Sequence, residues 1–285
     1  MLLFTEMNTK IKLLMVAIVA VVSIVSCKKE INWNAFPDPQ GNGCKLTSLK
    51  ADLDVLGSYD ISFAYDALGR VLKATTTDGQ INNFTYTAEK ITAKDQDGSI
   101  SEIVLENKRA VSSKREDALT VGGAVFSYTK KYTYNSDGYL IQVKNYLNGE
   151  LSSTDDLSYT NGNLVKVVST DPNQTFTTTT NYSYSTDVAV NVYDVADPLY
   201  YHVDYFSGGY YGKQSKNVLI KSSSKTVDRN GKPLNEDVSI YTYQVDAKGN
   251  TVAISLPVTT TFYPANGTAT TETAQTKYSL NYNCK

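Results

Sequence analysis

From about residue 44 onward, apolar and aromatic residues recur at every second position in short runs separated by polar turns that contain glycine. The clearest unit is Phe63–Leu72 (FAYDALGRVL). A spacing of two places both aromatic rings on one face of a strand, and Asp-Gly or Asn-Gly supplies the positive φ angles of tight hairpin turns. Each such unit therefore predicts a β-hairpin.

The unit is an internal repeat that extends over most of the chain. Further copies begin at Tyr132, Leu157 and Tyr241, and shorter copies begin at Phe84, Tyr182 and Tyr278. One hairpin cannot bury an aromatic face alone, so neighbouring hairpins must pair. The sequence predicts an all-β fold, an antiparallel meander of repeated hairpins curled into a half-barrel or barrel. Its tyrosines are expected chiefly in core and cross-strand packing.

The first 26 residues follow a different pattern. Lys10 and Lys12 precede an apolar run from 13 to 25, which ends at Ser26 and a cysteine. A run of about a dozen apolar residues is shorter than the roughly twenty that span a bilayer. This arrangement indicates a secretory signal peptide. The alternative is an uncleaved anchor that happens to end in cysteine.

The quartet Ile24-Val25-Ser26-Cys27 resembles the bacterial lipobox, in which the cysteine sulfur receives diacylglycerol and the new amino terminus is acylated. The resemblance implies that 1–26 is a lipoprotein signal peptide and that Cys27 is lipidated. Several acyl chains give stable membrane attachment. Residues 27–43 carry charge, proline and glycine without a period, which predicts a short lipidated tether. Residues 44–285 are expected to form a single β-hairpin-repeat domain.

Two further cysteines flank the predicted domain. Cys44 lies where the tether ends, and Cys284 is one residue from the end of the chain. Their placement predicts a disulfide that joins the two ends of one domain, in a compartment where disulfides persist. The alternative is two separate thiols.

Charge excludes one class of partner. Removing 1–26 leaves 25 basic and 28 acidic residues, a net charge of −3. No block of lysine and arginine is long enough to serve as an electrostatic footprint for nucleic acid. The partners that remain are the membrane, through the lipid anchor, and a glycan or an envelope protein.

The stretch FAYDALGRVLKATTTDG (63–79) resembles the YD repeat of the Rhs and teneurin proteins, which curl repeated hairpins into a β-cage. Residues 44–284 also resemble a family of uncharacterised Bacteroidetes lipoproteins that carry such hairpins behind a lipobox. In that family a segment like YYGKQSKN (210–217) interrupts the strands. The resemblance implies architecture and brings no established reaction with it.

The alternation stops between 194 and 212, where aromatic residues cluster with glycines. We predict ligand-binding residues here, because mobile, exposed rings could stack on a glycan or protein. The candidates are Tyr200, Tyr201, His202, Tyr205, Tyr210 and Tyr211. The alternative is that these rings plug the open end of the barrel, and the accessible area of the rings distinguishes the two.

Catalytic patterns are weak. His202 is the single histidine, so a zinc site or a Ser-His-Asp triad would have to be built around it. Asp95 opens a calcium-like run, but Ile100 stands where the loop needs glycine, so a hairpin turn is expected. Asp155 and Asp156 are adjacent on a strand and should point to opposite faces. We predict no catalytic residues, no metal and no cofactor.

These features together predict a non-enzymatic binding or structural module in the cell envelope, anchored by lipid. The pair Lys28-Lys29 does not resemble an inner-membrane retention signal, which favours the outer membrane; periplasmic and surface display both remain open. The alternative function is a polysaccharide-acting enzyme whose carboxylates are brought together only by folding.

Overall fold

A computed structural model describes residues 44–54, 57–116, 126–189, 196–203, 209–264 and 266–284. These residues contain seventeen strands and a short 3-10 helix, Pro198–Tyr201. The strands are β1 (Cys44–Asp52), β2 (Ser58–Tyr65), β3 (Val71–Thr76), β4 (Ile81–Tyr86), β5 (Lys90–Lys94), β6 (Ile100–Glu106), β7 (Arg109–Glu116), β8 (Ser127–Tyr134), β9 (Leu140–Leu147), β10 (Glu150–Thr160), β11 (Asn163–Thr170), β12 (Phe176–Val188), β13 (Asn217–Asp228), β14 (Pro233–Ile240), β15 (Thr242–Val245), β16 (Thr251–Phe262) and β17 (Thr270–Cys284).

The strands form one closed antiparallel barrel. Apart from β14 and β15, each strand pairs with its neighbour in sequence, and β1 pairs with both β2 and β17, which closes the ring. Strands β14 and β15 are separated only at Tyr241 and both pair with β16, so they occupy one position in a sixteen-stranded barrel. The prediction of an antiparallel hairpin meander is confirmed, and the choice it left open is settled in favour of a complete barrel.

Asp66 explains why the best repeat unit has aspartate before its turn and Gly-Arg after it. Its Oδ1 accepts hydrogen bonds from the backbone N–H of Leu68 (2.9 Å) and Arg70 (2.8 Å), and Arg70 Nε donates to Oδ2 at 2.7 Å. Gly69 adopts a φ of +84°, which favours glycine. Burial alone would raise the pKa of Asp66, but its bonds with Arg70 outweigh that effect and lower the pKa.

In five of the repeat units, the second aromatic residue is a tyrosine that points into the barrel and donates its hydroxyl to a backbone carbonyl on an earlier strand. Tyr65 donates to Leu46 at 2.5 Å, and Tyr134 donates to Ala110 at 2.7 Å. The same bond joins Tyr86 to Val71, Tyr184 to Leu164 and Tyr243 to Leu219. Burial raises the pKa of Tyr134 above the ordinary tyrosine value. These bonds tie successive hairpins together.

Cys44 begins β1 and Cys284 ends β17, and the two are joined in a disulfide, as the sequence predicts. Asn250 Nδ2 lies 3.6 Å from the sulfur of Cys44. We call this end of the barrel the disulfide end and the opposite one the far end. Two apolar clusters fill the interior toward the disulfide end, with Leu49, Leu140, Leu164 and Ile254 among their most buried members.

The predicted signal peptide, the tether and Cys27 lie outside the described residues, so they stay predictions. Within the described part of the chain, no helix has the length and hydrophobicity needed to span a bilayer.

Candidate functional site

The connection between β12 and β13 folds back into the disulfide end of the barrel. We call two of its described parts, residues 196–203 and 209–216, the plug segment. Leu199, Val203 and Tyr211 are buried in the same apolar cluster as the barrel strands. Sixteen-stranded barrels are too wide for wall side chains alone to fill. The plug segment supplies the missing core at this end.

Backbone hydrogen bonds fasten the plug segment to the rim. The N–H of Ala110 donates to the carbonyl of Tyr210 at 2.8 Å, and the N–H of Lys213 donates to that of Gly138 at 3.0 Å. Gly212 lies so close to the rim that an added Cβ would sit 2.5 Å from the Gly138 oxygen. Its φ of +87° also favours glycine. Gly212 therefore permits a close backbone approach that other residues would disturb.

Asp197 holds the short helix within the plug segment. Its Oδ1 accepts a hydrogen bond from the N–H of Leu199 at 3.0 Å, which caps the helix. Its Oδ2 accepts a bond from Gln214 Nε2 at 2.9 Å, which joins the two described parts of the segment. The exposed loop suggested by the irregular sequence is thus internally braced.

The predicted ligand-binding residues do not form one exposed surface. Tyr211 is fully buried and packs edge-on against Tyr132, with 5.1 Å between the ring centroids, so its prediction as an exposed binding residue is wrong. Tyr210 is half-buried against the core, whereas Tyr200 is 41% exposed. The side chain of Tyr201 and all of Tyr205 lie outside the described residues. The rings that are described fit the alternative interpretation, a plug.

His202 projects from the plug segment to the interior face of β10. Its Nδ1 lies 3.0 Å from Oδ2 of Asp155, and both side chains are largely buried. Asn145 Nδ2 also donates to Asp155, at 3.3 Å, and Lys130 Nζ donates to the His202 carbonyl at 3.4 Å. Burial raises the pKa of Asp155, but hydrogen bonds from His202, Ser169 and Asn145 outweigh it and lower the pKa. No local pattern in the sequence predicts the pairing of His202 with Asp155.

The interior changes character toward the far end, where hydroxyl groups replace the apolar core. Thr178 Oγ1 lies 2.9 Å from Thr226 Oγ1, and Thr180 Oγ1 donates to Ser224 Oγ at 3.1 Å. These residues share a strand face with the core residue Tyr182, so they line the interior. All four threonine and serine side chains are only half-buried. We call this hydroxyl-rich interior lining the far-end lining.

The far-end lining continues onto β14 and β16. Asp237 accepts hydrogen bonds from Asn235 Nδ2 at 3.1 Å and from Thr260 Oγ1 at 2.6 Å. Asp237 pairs with Ser224 in the ladder, so both side chains face the same way. A continuous band of hydroxyl, amide and carboxylate groups therefore crosses β12, β13, β14 and β16.

Four aromatic rings stand on the same interior-facing positions at the far end. They are Tyr59 (36% exposed), Tyr128 (43%), Phe176 (48%) and Phe262 (45%). Strand alternation places Phe176 in line with Thr178 and Thr180, and Phe262 in line with Thr260. Sequence reasoning missed these four because an inward aromatic near a strand end has the same spacing as a core residue. Their position at the polar ends of long strands is the one signal that sets them apart.

The outward faces of the strands carry charge. Lys90 Nζ lies 2.5 Å from Glu102 Oε1 on neighbouring strands, and Lys225 Nζ lies 2.7 Å from Glu236 Oε1. Outward positions on other strands are occupied by lysines, among them Lys50, Lys73, Lys131, Lys166, Lys221 and Lys277. The outer wall thus carries charge on many of its strands, with exposed apolar residues such as Ile100, Val104 and Ile240 between the charged ones.

The sequence motifs weighed for catalysis have structural explanations. Asp95 Oδ1 accepts a hydrogen bond from the N–H of Ser99 at 2.8 Å, which makes the calcium-like run a hairpin turn between β5 and β6, as predicted. Asp155 faces the interior, whereas the neighbouring Asp156 is exposed and accepts a bond from Gln142. That pair cannot share one cleft, as alternation predicts.

Fold and site together define a closed antiparallel barrel with one end filled by its own chain. A family model described as "Domain of unknown function (DUF4595) with porin-like fold" matches residues 63–253, and the chain belongs to this family. The comparison with curated proteins found no match.

Two crystal structures share the fold. The chain is 17% identical to a porin-like protein from Bacteroides uniformis, with a TM-score of 0.57 over 83% of this chain and 98% of that one. It is 16% identical to a porin-like protein from Bacteroides vulgatus, with a TM-score of 0.55 over 84% and 98% of the two chains. At such identity the likeness extends to the fold alone. The resemblance to YD repeats stays a prediction.

Proposed function

We propose that the protein is a lipid-anchored envelope module, in which Cys27 carries the anchor and the barrel stands in water as a non-enzymatic binding body. Lipobox-like residues support the anchor. A filled disulfide end, next to the predicted tether, and a polar far-end lining support a binding role at the far end. The absence of an inner-membrane retention pattern after Cys27 favours the outer membrane.

The outward ion pairs and lysines are the observation that carries this proposal. A transmembrane β-barrel needs an apolar outer band about 25 Å tall, and each lysine or arginine facing lipid at the midplane costs about 2–4 kcal/mol. Lys90–Glu102 and Lys225–Glu236 lie on widely separated parts of the wall. A porin-like fold with such a wall is therefore suited to an aqueous surrounding, and attachment would have to come from elsewhere in the chain.

The anchor is tested by metabolic labelling with an alkyne-bearing palmitate analogue. We expect label on the wild-type chain and none on Cys27→Ala, which should leave the membrane fraction. Ser26→Ala is the matched control, because it keeps a small residue before the cleavage site and should be labelled normally. Persistent label on Cys27→Ala, or persistent membrane association of that variant, would refute the lipid anchor.

A further inference from the structure

We propose that the far-end lining binds neutral saccharide chains, with Phe176 and Phe262 as stacking surfaces for sugar rings. This inference rests on the proposed binding function and names the ligand class. It moves the recognition site from the plug segment, where the sequence pattern predicts it, to the opposite end of the barrel.

The chemistry of the far-end lining suits a ligand that carries hydroxyl groups. Thr178, Thr180, Ser224 and Thr226 present hydroxyls that can both donate and accept, and Asp237 adds a carboxylate acceptor. Sugar hydroxyls need both kinds of partner. A site of this kind discriminates strongly for a hydroxylated ligand, because an apolar ligand would leave the polar groups unpaired.

The two phenylalanine rings are placed where sugar rings could stack on them. Phe176 on β12 and Phe262 on β16 flank the hydroxyl band, three strand spacings apart, or about 14 Å. Both are phenylalanines on interior-facing positions, and about half of each side chain is exposed. Burying them against the apolar C–H face of a sugar ring would remove that surface from water.

The carboxylates near the far-end lining favour neutral over anionic saccharides. Asp237 and Glu272 occupy interior-facing positions on β14 and β17 beside the hydroxyl band. These carboxylates would repel a polyanionic chain such as a phosphorylated or uronic acid polymer. A neutral saccharide meets no such penalty and can donate hydroxyls to the same groups.

The test is calorimetric titration of the full chain, purified in a detergent without a sugar headgroup. The probes are linear hexasaccharides of α- and β-linked glucose, mannose, xylose and N-acetylglucosamine. We expect at least one to bind with a Kd of about 1 mM or tighter. Phe176→Ala and Phe262→Ala should each weaken it about tenfold, whereas Phe176→Tyr, which keeps a ring, should stay within about twofold.

Tyr200→Ala is the matched control, because Tyr200 is as exposed as these rings but lies in the plug segment. It should bind like wild type. The proposal is overturned if no hexasaccharide binds, if the phenylalanine variants bind unchanged, or if Tyr200→Ala loses as much affinity as they do. These results are separate from the palmitate labelling, since the detergent-purified chain needs no lipid anchor to bind sugar.

Discussion

Replacing Tyr211 by alanine tests whether the plug segment is core or surface. The ring is fully buried, lies 5.1 Å from that of Tyr132 and belongs to the cluster that contains Leu140 and Leu164. Tyr200, eleven residues earlier in the same segment, is 41% exposed. The two tyrosines therefore give a matched pair of substitutions.

The loss of unfolding free energy expected for Tyr211→Ala follows from the area that its side chain buries. A buried aromatic side chain removes about 150–250 Å² from water, which at about 25 cal/mol per Å² is worth about 4–6 kcal/mol as an upper bound. Measured aromatic-to-alanine substitutions in cores cost about 3–5 kcal/mol. We expect a loss in that range for Tyr211→Ala. For Tyr200→Ala we expect about 1 kcal/mol or less, since much of its surface is already in water.

Urea unfolding followed by far-UV circular dichroism, with the disulfide intact, measures both free energies of unfolding. A loss below about 1 kcal/mol for Tyr211→Ala, or one no larger than that of Tyr200→Ala, would show that the segment does not pack inside the barrel. The same result would support the exposed aromatic surface that the sequence pattern predicts for this segment.

Three further predictions concern the stability of the barrel and its plug segment. Gly212→Ala should cost at least about 2 kcal/mol more in urea unfolding than Gly79→Ala, because both glycines have left-handed φ angles but only Gly212 meets a carbonyl oxygen. The stability contributed by Asp155 should be complete above the ordinary aspartate pKa of about 3.9 and be lost as pH falls through its lowered value. Asp155→Asn should therefore flatten the dependence of unfolding free energy on pH in the acid range, and an unchanged slope would contradict this. Reducing Cys44–Cys284 should lower stability by at most about 5 kcal/mol for a closed loop of 240 residues, and a thermal melt with and without reductant measures it.

The hairpins could be predicted because their information is local. In Phe63-Ala64-Tyr65-Asp66, a period of two sets the strand, and the turn from Asp66 to Gly69 sets the reversal. The disulfide could be predicted because two cysteines bracket the repeats. Closure of the barrel depends on pairing between β1 and β17, at opposite ends of the chain, and only Cys44 and Cys284 hinted at it.

The candidate site could not be predicted in the same way. Buried Tyr211 and exposed Tyr200 look alike in a segment without a period, and three-dimensional packing alone separates them. Phe176 and Phe262 have the alternation of core residues. Whether such a ring is covered depends on how far the plug segment reaches along the barrel, which no local pattern encodes.

The proposed envelope module requires that the outer wall of this barrel faces water. It is tested by cysteine substitution at Glu102 and Lys225 on the wall and at Asn148 in an exposed turn, in membranes carrying the protein. A charged, membrane-impermeant maleimide should label all three positions at similar rates, and an attached environment-sensitive dye should report water at each. If the wall positions are labelled tenfold or more slowly than the turn and the dye emission is blue-shifted, lipid covers the wall and the proposed module in water is wrong.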